Sequence, residues 1–267
     1  MPMTINTNVV SLNAQRNLSM SQSSLATSMQ RLSSGLRVNT ARDDAAGLAI
    51  ATRQDAQIRG INVAIRNAND GVSLAQTAEG ALATMTDALQ RMRELAVQAQ
   101  NGSNGTSDRA NLDTEFQALA AEITRIAAQT KFNGTAIVGA SAGAQVFQVG
   151  ANGGDTLTIT TTQVTTVGGG ITTAALASTA VSDIDAKLDV INTSRASYGA
   201  AMSRFSMAIQ NLQISGENQA AARGRIMDAD FAAETANLSR AQILQQAGSA
   251  MVAQANQLPN QVLALLR

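Results

Sequence analysis

Apolar residues spaced alternately three and four apart recur in separate segments at both ends of the chain, and no other feature limits its fold as much. That spacing returns side chains to one face of an α-helix. Near the start, Ile5, Val9 and Leu12 begin one stripe and Leu25, Met29, Leu32 and Leu36 form another, with an offset in register between Leu12 and Leu25. Near the end, Leu244, Gly248, Met251, Ala255, Leu258, Val262 and Leu265 repeat the spacing. The expectation is that the two ends pair as antiparallel helices in a coiled coil, with these large apolar residues and Ala255 as its self-assembly core. Gly248 and Ala255 leave room for a close backbone approach, and Pro259 is expected to kink or loosen the last turns. Burying one Leu is worth about 1.5–3 kcal/mol, so such a thin pair is expected to depend on neighbouring molecules.

Between the ends, Ile58, Ile61, Ile65, Ala68, Val72, Ala75, Leu82 and Leu89 mark a long helix whose track is interrupted by Glu79 and Thr86. The turn-rich run Asn101-Gly-Ser-Asn-Gly-Thr106 ends it. Ser107 or Asp108 is the expected cap of a further helix with Leu112, Phe116, Leu119, Ile123 and Ile126 on one side, folding back antiparallel. Asn133-Gly134 marks a turn. Residues 135–181 then change to Thr, Val, Ile and Gly. Alternation in 146–149 and 156–160 around the loop 150–155 predicts a β-hairpin, with its Thr-rich surface solvated. From Ser182 the helical pattern returns through Ile184, Leu188, Ile191, Arg195, Tyr198, Met202, Phe205, Ile209 and Leu212, with Arg195 as the one charge on the stripe. Gly216 either ends that helix or lies within it. The fold class is therefore mainly α: long antiparallel helices forming a terminal coiled coil, plus a helical rod with a small β-hairpin element.

Composition excludes several functions. Without Cys or His the chain has no thiol nucleophile, no imidazole acid–base chemistry and no common zinc site. Nineteen basic side chains balance nineteen acidic ones, and the aromatics are one Tyr and five Phe, so neither phosphate-binding surplus nor base-stacking platform points to nucleic acid. No positively charged front precedes Arg16, unlike a cleaved signal peptide. Residues 241–266 carry no charge but include eight Asn and Gln side chains, which suit a protein partner and not a membrane. The paired carboxylates Asp43 and Asp44, and likewise Asp228 and Asp230, read as helix caps. No catalytic residue, metal ligand or cofactor site emerges.

Ile5-Asn-Thr-Asn8, Leu32-Ser-Ser-Gly35, Asp43-Asp-Ala-Ala-Gly-Leu-Ala-Ile50 and Gln90-Arg-Met-Arg-Glu-Leu-Ala-Val97 resemble N-terminal signatures of bacterial flagellin. Asp228-Ala-Asp-Phe231, Arg240-Ala-Gln-Ile-Leu-Gln-Gln246 and Ala255-Asn-Gln-Leu-Pro259 resemble its C-terminal ones. The resemblance covers about 1–140 and 182–267. It implies a structural, non-enzymatic subunit whose ends, 1–44 and 223–267, form an inner coiled coil. Segments 45–134 and 182–222 would form an outer helical rod, with 135–181 as the insert in place of the large outward domains of many flagellins. Implied partners are further copies of the chain, an export chaperone at the C-terminal helix, and the filament cap and hook-junction proteins, with export unfolded to an extracellular filament for swimming. A hook–filament junction protein is the alternative. A flagellin with a zinc protease insert is excluded for want of His. By the same resemblance Arg91, Leu95 and Glu115 match the residues through which a vertebrate Toll-like receptor recognises flagellins.

Overall fold

A computed structural model describes residues 7–139 and 142–265, with the side chains from 258 onward left aside. Five helices, α1 (Val9–Ser34), α2 (Ala45–Gln100), α3 (Thr106–Gln129), α4 (Ala174–Met227) and α5 (Phe231–Leu265), carry most of the chain. It divides into two compact units: Met1–Ala56 with Asn218–Arg267, and Gln57–Glu217. Gly216 does not end a helix, since α4 runs through it to Met227. Pro259 likewise falls inside the span of α5.

In the central unit, α3 lies antiparallel to α2. Arg109 Nε donates to the Ala99 carbonyl at 2.9 Å, and Arg91 bonds Glu115 further along. The cap of α3 is Gly105, whose N–H donates to Asp108 Oδ2 at 3.0 Å, so Asp108 reaches back from inside the first turn and Ser107 does not cap. α4 is antiparallel to α2, with Arg93 bonding Asp185 and, two turns further along α4 or more, Glu79 bonding Arg195. The core among these helices holds Leu82, Met85, Leu89, Met92, Leu95, Phe116, Ile123, Tyr198 and Phe205, all essentially inaccessible.

The interruptions of the α2 and α4 stripes resolve each other. Arg195 Nε donates to Glu79 Oε1 at 2.8 Å, so the two off-pattern charges pair, while Thr86 turns its hydroxyl back to the Leu82 carbonyl at 2.8 Å. Glu79 Oε2 remains buried without a hydrogen bond.

Two hairpins follow α3. β1 (Lys131–Phe132) and β2 (Thr135–Ala136) enclose Asn133-Gly134, both with positive φ (47° and 81°), the backbone of a tight hairpin turn that Asn-Gly favours. β3 (Ala144–Gln148) pairs antiparallel with β4 (Thr156–Thr160), as the alternation predicts. Phe147 meets Phe205 edge to face at 5.6 Å between ring centres. The stretch after β4 belongs to neither hairpin. It forms no strand, and Val164, Val167 and Ile171 sink into the core, held by Val164 N–H to Val138 O at 3.0 Å and Ile171 N–H to Asp113 Oδ1 at 2.7 Å. Only part of the insert is solvated, because its apolar side chains, though irregularly spaced, find core positions.

Candidate assembly surface

In the terminal unit, α1 and α5 run antiparallel. Asn8 bonds Ala255, Leu18 packs on Gly248, and Arg31 stands 3.8 Å from Glu234. Their seam is a continuous three–four pattern, but not the one drawn from large apolar residues alone. On α1 it consists of Ser11, Ala14, Leu18, Ser21, Leu25, Ser28 and Leu32, and on α5 of Glu234, Leu238, Ala241, Gln245, Gly248, Val252 and Ala255, all buried or partly buried. Small side chains alternate with branched ones, so the two backbones draw within 8 Å between Cα atoms along the seam. A methyl on Gly248 would lie 3.1 Å from Leu18 Cδ1.

The expected core residues divide accordingly. Leu25, Leu32 and Ala255 lie in the seam, and Leu36 packs beside a small cluster of Val38, Ala51 and Met227. Val9, Leu12, Met29, Leu244 and Met251 instead point away from the pair, between 50% and 63% exposed. The expected offset between Leu12 and Leu25 is also corrected: the register is unbroken there because Ser11, Ala14, Ser21 and Ser28 carry it. Ile5 lies outside the described residues, as do the side chains of Leu258, Val262 and Leu265. Val10, Leu244 and Met251 line a groove beside the seam with Asn13, Asn17 and Ala247.

Where α1 ends, Gly35 takes the left-handed conformation (φ 71°) and its carbonyl accepts the Ala229 N–H at 2.9 Å. Leu36 bridges Asp228, and Arg37 N–H donates to Met227 O. Asp44 Oδ1 accepts the Gly47 N–H at 2.7 Å at the start of α2, and Asp230 Oδ1 accepts from Ala232 and Ala233 at the start of α5, both as caps. Asp43 binds the preceding loop instead, through Thr40 and Asn39, which holds its carboxyl below the usual range. Asp228 does not start a helix either, since it follows the end of α4.

Of the receptor-matched residues in the central unit, Arg91 and Glu115 form an exposed bridge at 2.9 Å, with Glu94 also on Arg91 at 2.9 Å. Those bonds, Glu115 first, raise the Arg91 pKa. Leu95 is 1% exposed, because its track on α2 is that of Leu82, Leu89 and Met92.

No helix is long and apolar enough to cross a membrane among the described residues. The model of the bacterial flagellin N-terminal helical region matches residues 5–142, and that of the C-terminal helical region matches residues 181–266. The flagellin of Halalkalibacterium halodurans is 44% identical over 99% of this chain and its own full length. Flagellin A of Vibrio anguillarum is 35% identical over the whole of both chains, across 379 aligned positions, so it carries inserted sequence absent from these 267 residues. The crystal structure of Bacillus cereus flagellin superposes with a TM-score of 0.52 at 32% identity, over 59% of this chain and 94% of that one. The paired helical ends and the interrupted middle are those of a filament-forming structural subunit. The chain belongs to the bacterial flagellin family.

Proposed function

We propose that this flagellar filament subunit polymerises through the outward apolar side chains of the α1–α5 pair, with spans 1–44 and 223–267 forming the inner coiled coil and the spans between them the outer part. The observation that carries the reading is that Val9, Leu12, Met29, Leu244 and Met251 stay exposed on a unit with hardly any core of its own. Export as an unfolded chain accords with a fold closed without disulfides. An export chaperone would cover the exposed residues of α5 before assembly, and the filament cap and hook-junction proteins would meet the same surface at the filament ends. The filament is then extracellular. A hook–filament junction role is not favoured, since flagellin matches span both ends and the whole length.

Seeded elongation tests the surface. Wild-type chain should extend filament fragments, whereas Leu244→Asp/Met251→Asp should not, with an unfolding curve within about 0.5 kcal/mol of wild type because both positions are solvated in the single chain. Elongation by the double variant at the wild-type rate would remove this surface from the interface.

The exposed Arg91–Glu115 bridge supports a Toll-like receptor contact in the free subunit, with Leu95 bracing α2 from beneath. Reporter-cell activation should fall with Arg91→Ala; full activity in that variant rejects the contact.

A further inference from the structure

In a regular helix the carbonyl of Ala255 would accept the N–H of residue 259, and residue 259 is proline, which has none. Ala255 is buried in the seam, where an unbonded carbonyl is costly. The missing donor comes from the other end of the chain: Asn8 Nδ2 donates to the Ala255 carbonyl at 2.7 Å. The same side chain uses its oxygen to accept the Ser11 N–H at 3.0 Å, capping α1. One turn into α1, Ser11 Oγ donates to Asn256 Oδ1 at 2.7 Å.

We propose that Pro259 and Asn8 form one latch, in which the proline frees a single carbonyl of α5 and the asparagine joins it to the cap of α1. The register of the terminal pair is thereby fixed by a polar contact. That contact suits a seam of small side chains, which would tolerate a slip of one heptad with little loss of packing. Asn8 is a positioning residue, and Pro259 acts through the hydrogen bond it cannot make.

Native-state amide exchange over residues 9–20 and 244–257 in filaments assembled from the full-length chain, where neighbouring copies cover the terminal pair, tests the latch. Asn8→Asp keeps the capping oxygen and removes the amide donor. It should lower protection about fivefold, the worth of one neutral hydrogen bond. In a Pro259→Ala background Ala255 regains a helical donor, and the same substitution should change protection by less than about twofold. Ser11→Ala, whose partner is a side chain, should lower protection equally in both backgrounds. An Asn8→Asp effect of the same size with and without Pro259 overturns the latch, as does no effect in the wild-type background. A terminal pair unprotected in the wild type, or Pro259→Ala losing more protection than Asn8→Asp, also overturns it.

Discussion

Met85 and Met92 in the central unit are fully buried, whereas Met20, Met29 and Met251 on the terminal pair are more than half exposed. Leu82 and Leu89 contrast with Leu12 and Leu244 in the same way. The central unit has three helices and two hairpins, so each apolar stripe faces another and the core closes within one chain. Two helices have only one mutual face. In the terminal pair that face is given to Ser, Ala and Gly, which allow close backbones but bury little apolar area, at about 25 cal/mol per Å². The large side chains are left on the flanks, exposed among the described residues. The difference shows how one chain can hold both a body with a closed core and a helix pair with its large apolar side chains outside, the feature on which the proposed assembly surface rests.

The contrast breaks if truncation costs the two units alike. Phe205→Ala empties a site in the central core against Phe147 and Gly71, and should cost about 3–5 kcal/mol in urea unfolding. Met251→Ala should cost less than about 0.5 kcal/mol in the soluble chain. Equal losses would mean that Met251 is covered within the single chain.

Glycines sharpen the comparison at a smaller scale. A methyl on Gly71 would stand 2.8, 2.9 and 3.2 Å from three atoms of the Phe205 ring, and a ring packed on all sides cannot yield easily. Gly71→Ala should therefore destabilise by about 1–3 kcal/mol. Gly80, on the same helix with nothing within 4 Å of an added methyl, should gain about 0.5–1 kcal/mol from Gly80→Ala. Thermal melts of the two variants should move in opposite directions; both falling would mean the α2 backbone at Gly80 cannot bear a side chain.

How far the sequence disclosed this arrangement follows the same division. In the central unit large residues mark the buried faces, so the tracks through Leu82 and Leu89 and through Ile191, Tyr198 and Phe205 could be read directly. The Glu79 and Arg195 misfits were visible as interruptions, but not as partners, because pairing depends on the register between helices distant in sequence. The seam of the terminal pair was obscured because Ser11, Ser21 and Ser28 look like surface residues. A regular seven-residue recurrence of small side chains was the available signal, and hydrophobicity outweighed it. Leu95 was singled out by motif, and its spacing from Met92 and Leu89 is that of a buried position. The Asn8–Ala255 bond could not be foreseen from local pattern, since it joins residues 247 apart and Pro259 reads only as a kink or loosening of the last turns.

The smallest effects separate the units by pH. Asp43, in the terminal unit, has its carboxyl pKa lowered chiefly by the Thr40 N–H and hydroxyl, then by the Asn39 N–H. A lowered folded pKa stabilises above the unfolded value and is lost as pH falls through the folded one, so its contribution disappears at the acid end, below the ordinary 3.8. Asp43 is exposed, so the loss is slight and Asp43→Asn should flatten it. Tyr198, in the central unit, is 1% exposed, and burial raises its hydroxyl pKa above the ordinary 10.0 against the opposing effect of a backbone hydrogen bond at Thr162. A raised folded pKa leaves stability intact below the unfolded value and removes it as pH climbs through the folded one, so this contribution is lost at the alkaline end. With one Tyr and no Trp in the chain, tyrosinate absorbance reports that site alone. Ionisation should lag behind that of the urea-unfolded chain and appear together with loss of central-unit helicity. Free titration at the unfolded value, with helicity retained, would mean that the hydroxyl reaches water and that the central core is more open than the terminal seam.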